Sequence, residues 1–252
     1  MEAQGGPDVW ETASLKELAA HEPQPRGQPY AIEVPGTALR EESGVSDLAF
    51  WYAIGEAYAQ VAMRFCTTDS PRVLDIGCGA CKMGRFFAMN PRAHYIGLDI
   101  FAPAIEWCKE AFREWPHFEF RHLDVHSTFY NPTGRQPPAE VELPVSGGSI
   151  DLILCGSLFT HLLEPAFRRY VAEIARTLRA PKFPGATRRG RAVVSIHDQP
   201  ADGRFSGTEG RIDISRELFR EIVAGERLRV VRHIGNVFGQ EVFILERRWR
   251  RH

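Results

Sequence analysis

Apolar residues recur along this chain with two alternating periods. Short apolar runs read as strands over Arg72–Ile76, His94–Asp99, Phe118–Val125, Ile150–Cys155, Arg191–His197, Leu228–Ile234 and Glu241–Glu246. Helical spacing lies between them, over Lys82–Met89, Pro103–Trp115, Pro165–Leu178 and Arg216–Ala224. Pro165–Leu178 is the clearest helix: Phe167, Tyr170, Val171, Ile174 and Leu178 form one stripe, with Arg168, Arg169, Glu173 and Arg176 opposite. Pro103 stands near a first helical turn, where its missing N–H costs nothing, and Ser215 is placed to cap the helix that follows it. Ahead of the strands, Asp47–Phe65 reads as an aromatic-rich helix closed by Ser70-Pro71. Residues 1–45 are rich in Pro, Gly, Glu and Gln, with a short helix expected near Glu11–Ala20.

Alternating strands and helices predict an α/β fold: a Rossmann-like open sheet, mostly parallel, with helices on both faces. The gap Gly235–Gln240 is too short for a parallel crossover, so the last two strands should form a C-terminal antiparallel hairpin. The expected organisation is an N-terminal arm and aromatic lid helix over 1–66, then a ligand-binding domain over 67–252. Open sheets of this kind bind ligands beyond the carboxyl ends of their strands, where strand order reverses. Every strand end is therefore a place to look for chemistry, and the long connections His126–Ser149 and Asp198–Ile214 at that edge are candidates for specificity.

Composition narrows the classes. A formal charge of -1 gives no general pull towards nucleic acid or anionic lipid. The arginines at 247, 248, 250 and 251 read as a solvated tail. No apolar run approaches the roughly 20 residues of a membrane-spanning helix. No basic-then-apolar leader opens the chain, and its five cysteines are an odd number, so a cytoplasmic protein with reduced thiols is expected.

The segment Val73–Gly84, VLDIGCGACKMG, carries the candidate chemistry. A dinucleotide fingerprint would need a third glycine where Lys82 stands, and a phosphate loop would need Gly-Lys-Ser/Thr. Cys78-x-x-Cys81 has no second cysteine pair with which to build a zinc site, though a redox pair at a helix start stays open. What remains is an acid, Asp75, before a tight Gly77-Cys78-Gly79 turn, a loop suited to a cationic ligand.

The segment resembles the first motif of the class I S-adenosylmethionine-dependent methyltransferases, (V/I)LD(I/V)G(C/A)G-x-G, with Cys81 in place of the usual third glycine. The likeness extends over Val73–Glu246. It implies S-adenosylmethionine as cofactor, held by Asp75, Gly77, Cys78 and Gly79; by Asp99 on the ribose hydroxyls, with Ile100 beside it; by Asp124 at the adenine amino group, with Val125; and by the Cys155 carbonyl at the ammonium group. Cys81 implies a slightly displaced helix start. FRHLDV, YNPTG, SLFTHL and FGQEVF are similar to a bacterial subgroup associated with small-molecule or cell-surface-sugar pathways.

Methyl transfer requires alignment and, for a hydroxyl acceptor, a base. No (N/D/S)PP(Y/F) motif follows the fourth strand and no Pro-Cys occurs, as base-modifying methyltransferases would need. Gly156-Ser157 stands where metal-dependent catechol-type enzymes carry a carboxylate, so no metal ligand is assigned. The expected partner is a small-molecule acceptor, methylated on O or N, rather than nucleic acid or membrane. His197 and His161, at the ends of the fifth and fourth strands, are the candidate bases, His197 being favoured. Trp51 and Tyr52 on the aromatic helix, and Asn236 and Gln240 near the hairpin turn, are candidate acceptor contacts. Arg135, Arg204 and Arg211 read as solvated loop charges. The alternatives are a non-catalytic partner subunit keeping this fold, or an NAD-dependent oxidoreductase on a similar sheet.

Overall fold

The computed structural model describes Pro29 and residues 31–249 except 43, 184 and 202. The helix expected at Glu11–Ala20 and the arginines at 250 and 251 lie outside the described residues. A short helix α1 (Thr37–Glu41) leads to α2 (Leu48–Phe65), which starts where the Asp47 carboxylate accepts from the Phe50 N–H at 2.7 Å. Seven strands then make the main sheet: β1 (Arg72–Ile76), β2 (His94–Asp99), β3 (Phe118–His122), β4 (Leu152–Cys155), β5 (Arg191–Ile196), β8 (Leu228–Val237) and β9 (Gln240–Arg247). Their spatial order is β3-β2-β1-β4-β5-β9-β8, parallel except for β9, which runs antiparallel between β5 and β8. The order reverses between β1 and β4, which pair Asp75 with Leu154.

Two apolar layers sandwich this sheet. Leu74, Ile96, Ile153 and Val194 face Phe167, Tyr170 and Ile174 of α4 (Glu164–Thr177) and Phe219 of α5 (Arg216–Gly225). Val73, Tyr95, Leu152 and Val193 face Tyr58 and Ala62 of α2 and Ile105 and Cys108 of α3 (Ala102–Ala111). Ser215 caps α5 as expected, accepting from the Leu218 N–H. Among the described residues no helix is long and apolar enough to cross a membrane.

Several expectations need correction. The helix predicted over Lys82–Met89 is a 3-10 segment, Gly84–Met89. Cys81 sits at φ +55, outside the helical region, although its carbonyl accepts from the Arg85 N–H at 3.2 Å, and a Cβ on Gly84 would lie 2.2 Å from the Tyr95 ring. Strand β3 stops at His122 because the chain turns to pair elsewhere: the Asp124 carbonyl accepts from the Arg135 and Gln136 N–H groups. Asp198–Ile214 is no open loop, since it contains a hairpin of β6 (Phe205–Thr208) and β7 (Arg211–Ile214). The gap expected at Gly235–Gln240 closes to a two-residue turn, with Val237 paired to Gln240. Phe238 and Gly239, at φ +50 and +86, have the left-handed pair that such hairpin turns require.

The sheet edge away from the strand carboxyl ends is built on two buried carboxylates. Asp151 accepts from Arg179 at 2.6 Å and from Arg188 at 3.0 Å, while Glu246 gathers Arg189, Arg191 and Arg229.

Candidate active site

The carboxyl ends of β1, β2, β4 and β5 open on a cavity of about 440 Å³, also lined by α2, by Leu39, Glu42, Gly44 and Val45, and by the β8–β9 turn. One half is built largely from backbone. Gly77 and Gly79 take φ +76 and +50, and the N–H groups of Gly77 and Cys78 both donate to the Leu98 carbonyl, tying the turn to the end of β2. Asp99 locks it from below: one carboxylate oxygen accepts from the Gly79 N–H at 2.7 Å and the other from the Phe101 N–H at 2.8 Å. Burial pushes the Asp99 pKa up against those backbone donors. Each oxygen keeps a further lone pair for a ligand. Ile100, Leu123, Val125 and Leu158 add apolar walls.

The other half is built from side chains. Phe50, Ile54 and Tyr58, four residues apart on α2, line it together with Tyr130, Ser157, His161, His197, Phe238 and Gln240. The Phe50 and Phe238 rings meet edge-on at 5.1 Å over its mouth. His161 Nδ1 lies 2.8 Å from the Glu209 carbonyl and His197 Nδ1 3.3 Å from the Gly239 carbonyl. A carbonyl only accepts, so each neutral ring carries its proton on Nδ1 and a lone pair on Nε2. Burial and then the Arg211 guanidinium push the His197 pKa below its usual range. The Glu209 carboxylate latches two long connections together, accepting from Ser127 Oγ, Thr128 N and Thr128 Oγ1, each at 2.9 Å.

Of the residues singled out in the sequence, Gly77, Cys78, Gly79, Asp99, Ile100, Val125, His161, His197 and Gln240 meet at this cavity. The others lie elsewhere. Asp75 is fully buried on the opposite side of β1, where one of its oxygens accepts from the Tyr95 hydroxyl at 2.7 Å. Burial raises its pKa to about 7. Asp124 points away to pair with Arg135 Nε at 2.5 Å, a bond that holds its pKa low. The Cys155 side chain is in the apolar core, and Gly156 and Ser157, which follow it, line the cavity. Trp51 is buried under the Arg85 guanidinium, 5.0 Å from the ring centroid, and Tyr52 flanks the same group at 5.1 Å. Asn236 folds into the hairpin turn, accepting from the Gly239 N–H at 3.0 Å. The loop arginines are paired: Arg135 with Asp124, Arg204 with Glu221 and Arg211 with Asp213.

Residues 73–181, from β1 through the end of α4, match the family described as "Methyltransferase domain". Residues 73–181 therefore carry a methyltransferase domain. Solved structures similar to it include the Burkholderia thailandensis 1,6-didemethyltoxoflavin-N1-methyltransferase with 1,6-didemethyltoxoflavin and S-adenosylhomocysteine bound. That pair has 16% identity and a TM-score of 0.56, over 86% of this chain and 93% of that one. A TehB-like S-adenosylmethionine-dependent methyltransferase from Corynebacterium glutamicum aligns at 16% identity and TM-score 0.55, over 83% and 99%. The magnesium protoporphyrin IX methyltransferase from Synechocystis PCC 6803, with bound S-adenosylhomocysteine, aligns at 14% and 0.53, over 86% and 90%. These likenesses carry the fold. The oxidoreductase alternative is thereby set aside.

The methyltransferase's glycine turn fits an S-adenosylmethionine donor. A Cβ on Gly77 would press to 3.3 Å from Leu158, which also lines the cavity. The donor set is a buried carboxylate rather than a phosphate cradle. Lys82, which lines the same half, is brought down to a pKa of about 8 by burial, opposed by the Asp75 charge. Sequence reasoning missed Tyr58, Tyr130, Ser157 and Phe238. The fourfold spacing of Phe50, Ile54 and Tyr58 was the one available signal; the other three reach the cavity through loop conformation.

Proposed function

We propose that this methyltransferase transfers the methyl group to an oxygen or nitrogen atom of a small ring compound, without a metal, in the cytoplasm. The donor supplies an electrophilic methyl carbon when bound. In this reading Asp99 accepts from its ribose hydroxyls, the Gly77–Gly79 turn admits its amino-acid end, and Ile100, Val125 and Leu158 cover its base. His197 takes the acceptor's proton on Nε2, and His161 accepts a second hydrogen bond. Residues 1–66 serve as arm and lid over a 67–252 domain, a reading supported by the residues of α2 and by Leu39, Glu42 and Val45, which line the cavity.

The observation that carries this reading is the acceptor half itself, where two imidazoles of one tautomer stand among aromatic rings in an enclosed space. The depressed pKa of His197 leaves it neutral, and able to take a proton, at pH 7. Among the described residues no cluster of three His, Cys, Asp or Glu is placed to hold a metal, and β4 is followed by Gly156-Ser157 rather than a carboxylate. All five cysteines are free, which suits a reducing compartment. Two structural neighbours are named for small ring substrates, so the fold accommodates them.

The test is an S-adenosylhomocysteine-release assay with panels of hydroxylated and aminated aromatic compounds, with and without EDTA. Turnover of at least one compound, unaffected by chelation, is expected. Turnover only with RNA or protein, or its abolition by EDTA, would overturn the proposal.

A further inference from the structure

Ser157 follows β4 at φ +60, a left-handed conformation that disfavours any residue with a side chain. It is held there by a closed set of polar contacts whose directions can be read one by one. The Ser157 N–H donates to Ser195 Oγ at 2.9 Å, so Ser195 spends a lone pair on it. The Ser195 hydroxyl donates to Gln240 Oε1 at 2.6 Å, and the Tyr58 hydroxyl points at the same oxygen from 3.5 Å. Gln240 Nε2 then donates to Ser157 Oγ at 2.8 Å. With the amide in this orientation, both the Ser195 and the Tyr58 hydroxyls have Oε1 as an acceptor. Among the described residues no acceptor meets the Ser157 hydroxyl proton, and Ser157 lines the cavity.

We propose that the Ser157 O–H is a donor of fixed direction, aimed by Gln240 and Ser195, that selects methyl acceptors bearing a carbonyl oxygen in addition to the hydroxyl to be methylated. The inference rests on the reading that this half of the cavity receives the acceptor. The surrounding chemistry completes the pattern: the imidazole lone pairs of His161 and His197 accept hydrogen bonds from the ligand, while the Ser157 hydroxyl donates one to it. Such a site rejects a ligand without the carbonyl, because the serine hydroxyl would lose its water partner and gain nothing. Gln240, foreseen as an acceptor contact, is here a positioning residue. Both ends of its amide are engaged within the protein.

The test uses the full chain saturated with S-adenosylhomocysteine and titrated, by ligand-observed NMR, with the three hydroxyacetophenone isomers and the three matching ethylphenols. Each pair keeps the ring, the hydroxyl and the bulk, and differs in the carbonyl. At least one hydroxyacetophenone should bind about tenfold more tightly than its ethylphenol. That preference should shrink to within about twofold in Ser157→Ala and Ser157→Gly, the glycine also relieving the left-handed backbone. It should vanish in Gln240→Glu as well, because a carboxylate there accepts the serine proton and reverses its direction. Preference unchanged in these variants, or absent from the wild type, or no hydroxyacetophenone binding at all, would overturn the proposal. Loss of S-adenosylhomocysteine binding in all three variants would overturn it too, by putting the hydroxyl in the donor's half. Failure of the wild type to bind S-adenosylhomocysteine would instead bring down the underlying reading of the cavity.

Discussion

The two halves of the cavity are made in different ways. Below the glycine turn, the Gly79 and Phe101 N–H groups and the Asp99 carboxylate lie within a few residues of strand ends that pair directly in the sheet. Across the cavity, Ser157, Ser195 and Gln240 come from three strands and meet only when β9 inserts beside β5. His161 likewise depends on a carbonyl from a separate hairpin. The family match spans the first half and, in the second, Tyr130, Ser157 and His161, and it ends at residue 181, short of Ser195, His197 and Gln240. Local backbone contacts build the first half, and side chains brought together from distant strands build the second.

If that division is right, substitutions should separate the two functions. Asp99→Ala should have the largest effect. It removes two prospective charge-assisted hydrogen bonds, at about 1.5–3 kcal/mol each. It also leaves the Gly79 and Phe101 N–H groups without their carboxylate. S-adenosylhomocysteine affinity, read by fluorescence titration, should fall on the order of 10³-fold. His197→Ala should lower turnover about 10²-fold, the lower end of what a general base contributes, with donor affinity within about twofold of wild type. Equal losses of both in either variant would erase the comparison.

The pH dependence sharpens it. Because burial and Arg211 lower the His197 pKa, the neutral, proton-accepting form is already dominant at pH 7. The rate should rise through an apparent pKa below about 6.5 and be flat from pH 7 to 8. Glu209→Ala, which frees the Ser127–Thr128 segment from the hairpin, should act more weakly. A rise of about fivefold in acceptor KM with donor affinity unchanged is expected, checked by initial-rate kinetics.

The smallest effect tests the acid beside the turn that faces away from the cavity. Asp75 has a folded pKa of about 7, raised by burial, so its contribution to stability is complete below the unfolded value and is lost as pH rises towards and through 7. Asp75→Asn removes that titration. Its Tm should match or exceed that of the wild type at pH 8, by a few degrees at most, and vary less between pH 4 and 8. A Tm clearly below wild type at pH 8 in thermal melts would show that the ionised carboxylate holds the fold.

The same contrast explains what could be read from the sequence. The strands and the glycine turn follow from local periods and from Gly77 and Gly79, and Ser215 caps the helix its position suggests. Asp99 was visible because it ends a strand. Asp124 was misplaced because its fate is set by Arg135, well along the chain, and Trp51 because Arg85 claims its ring face. The hairpin turn was hidden since Phe238 takes a left-handed conformation usually marked by Asn, Asp or Gly. Ser157 gave no sign at all. Its role lies in a positive φ and in partners from two other strands, neither of which leaves a local pattern.

The most direct test of the division is hydrogen–deuterium exchange of the full chain with and without saturating S-adenosylhomocysteine. Slowed exchange is predicted at the amides of residues 77–83 and 99–101, with residues 237–241 of the hairpin little changed. No protection at the glycine turn, or protection confined to the hairpin, would contradict the account.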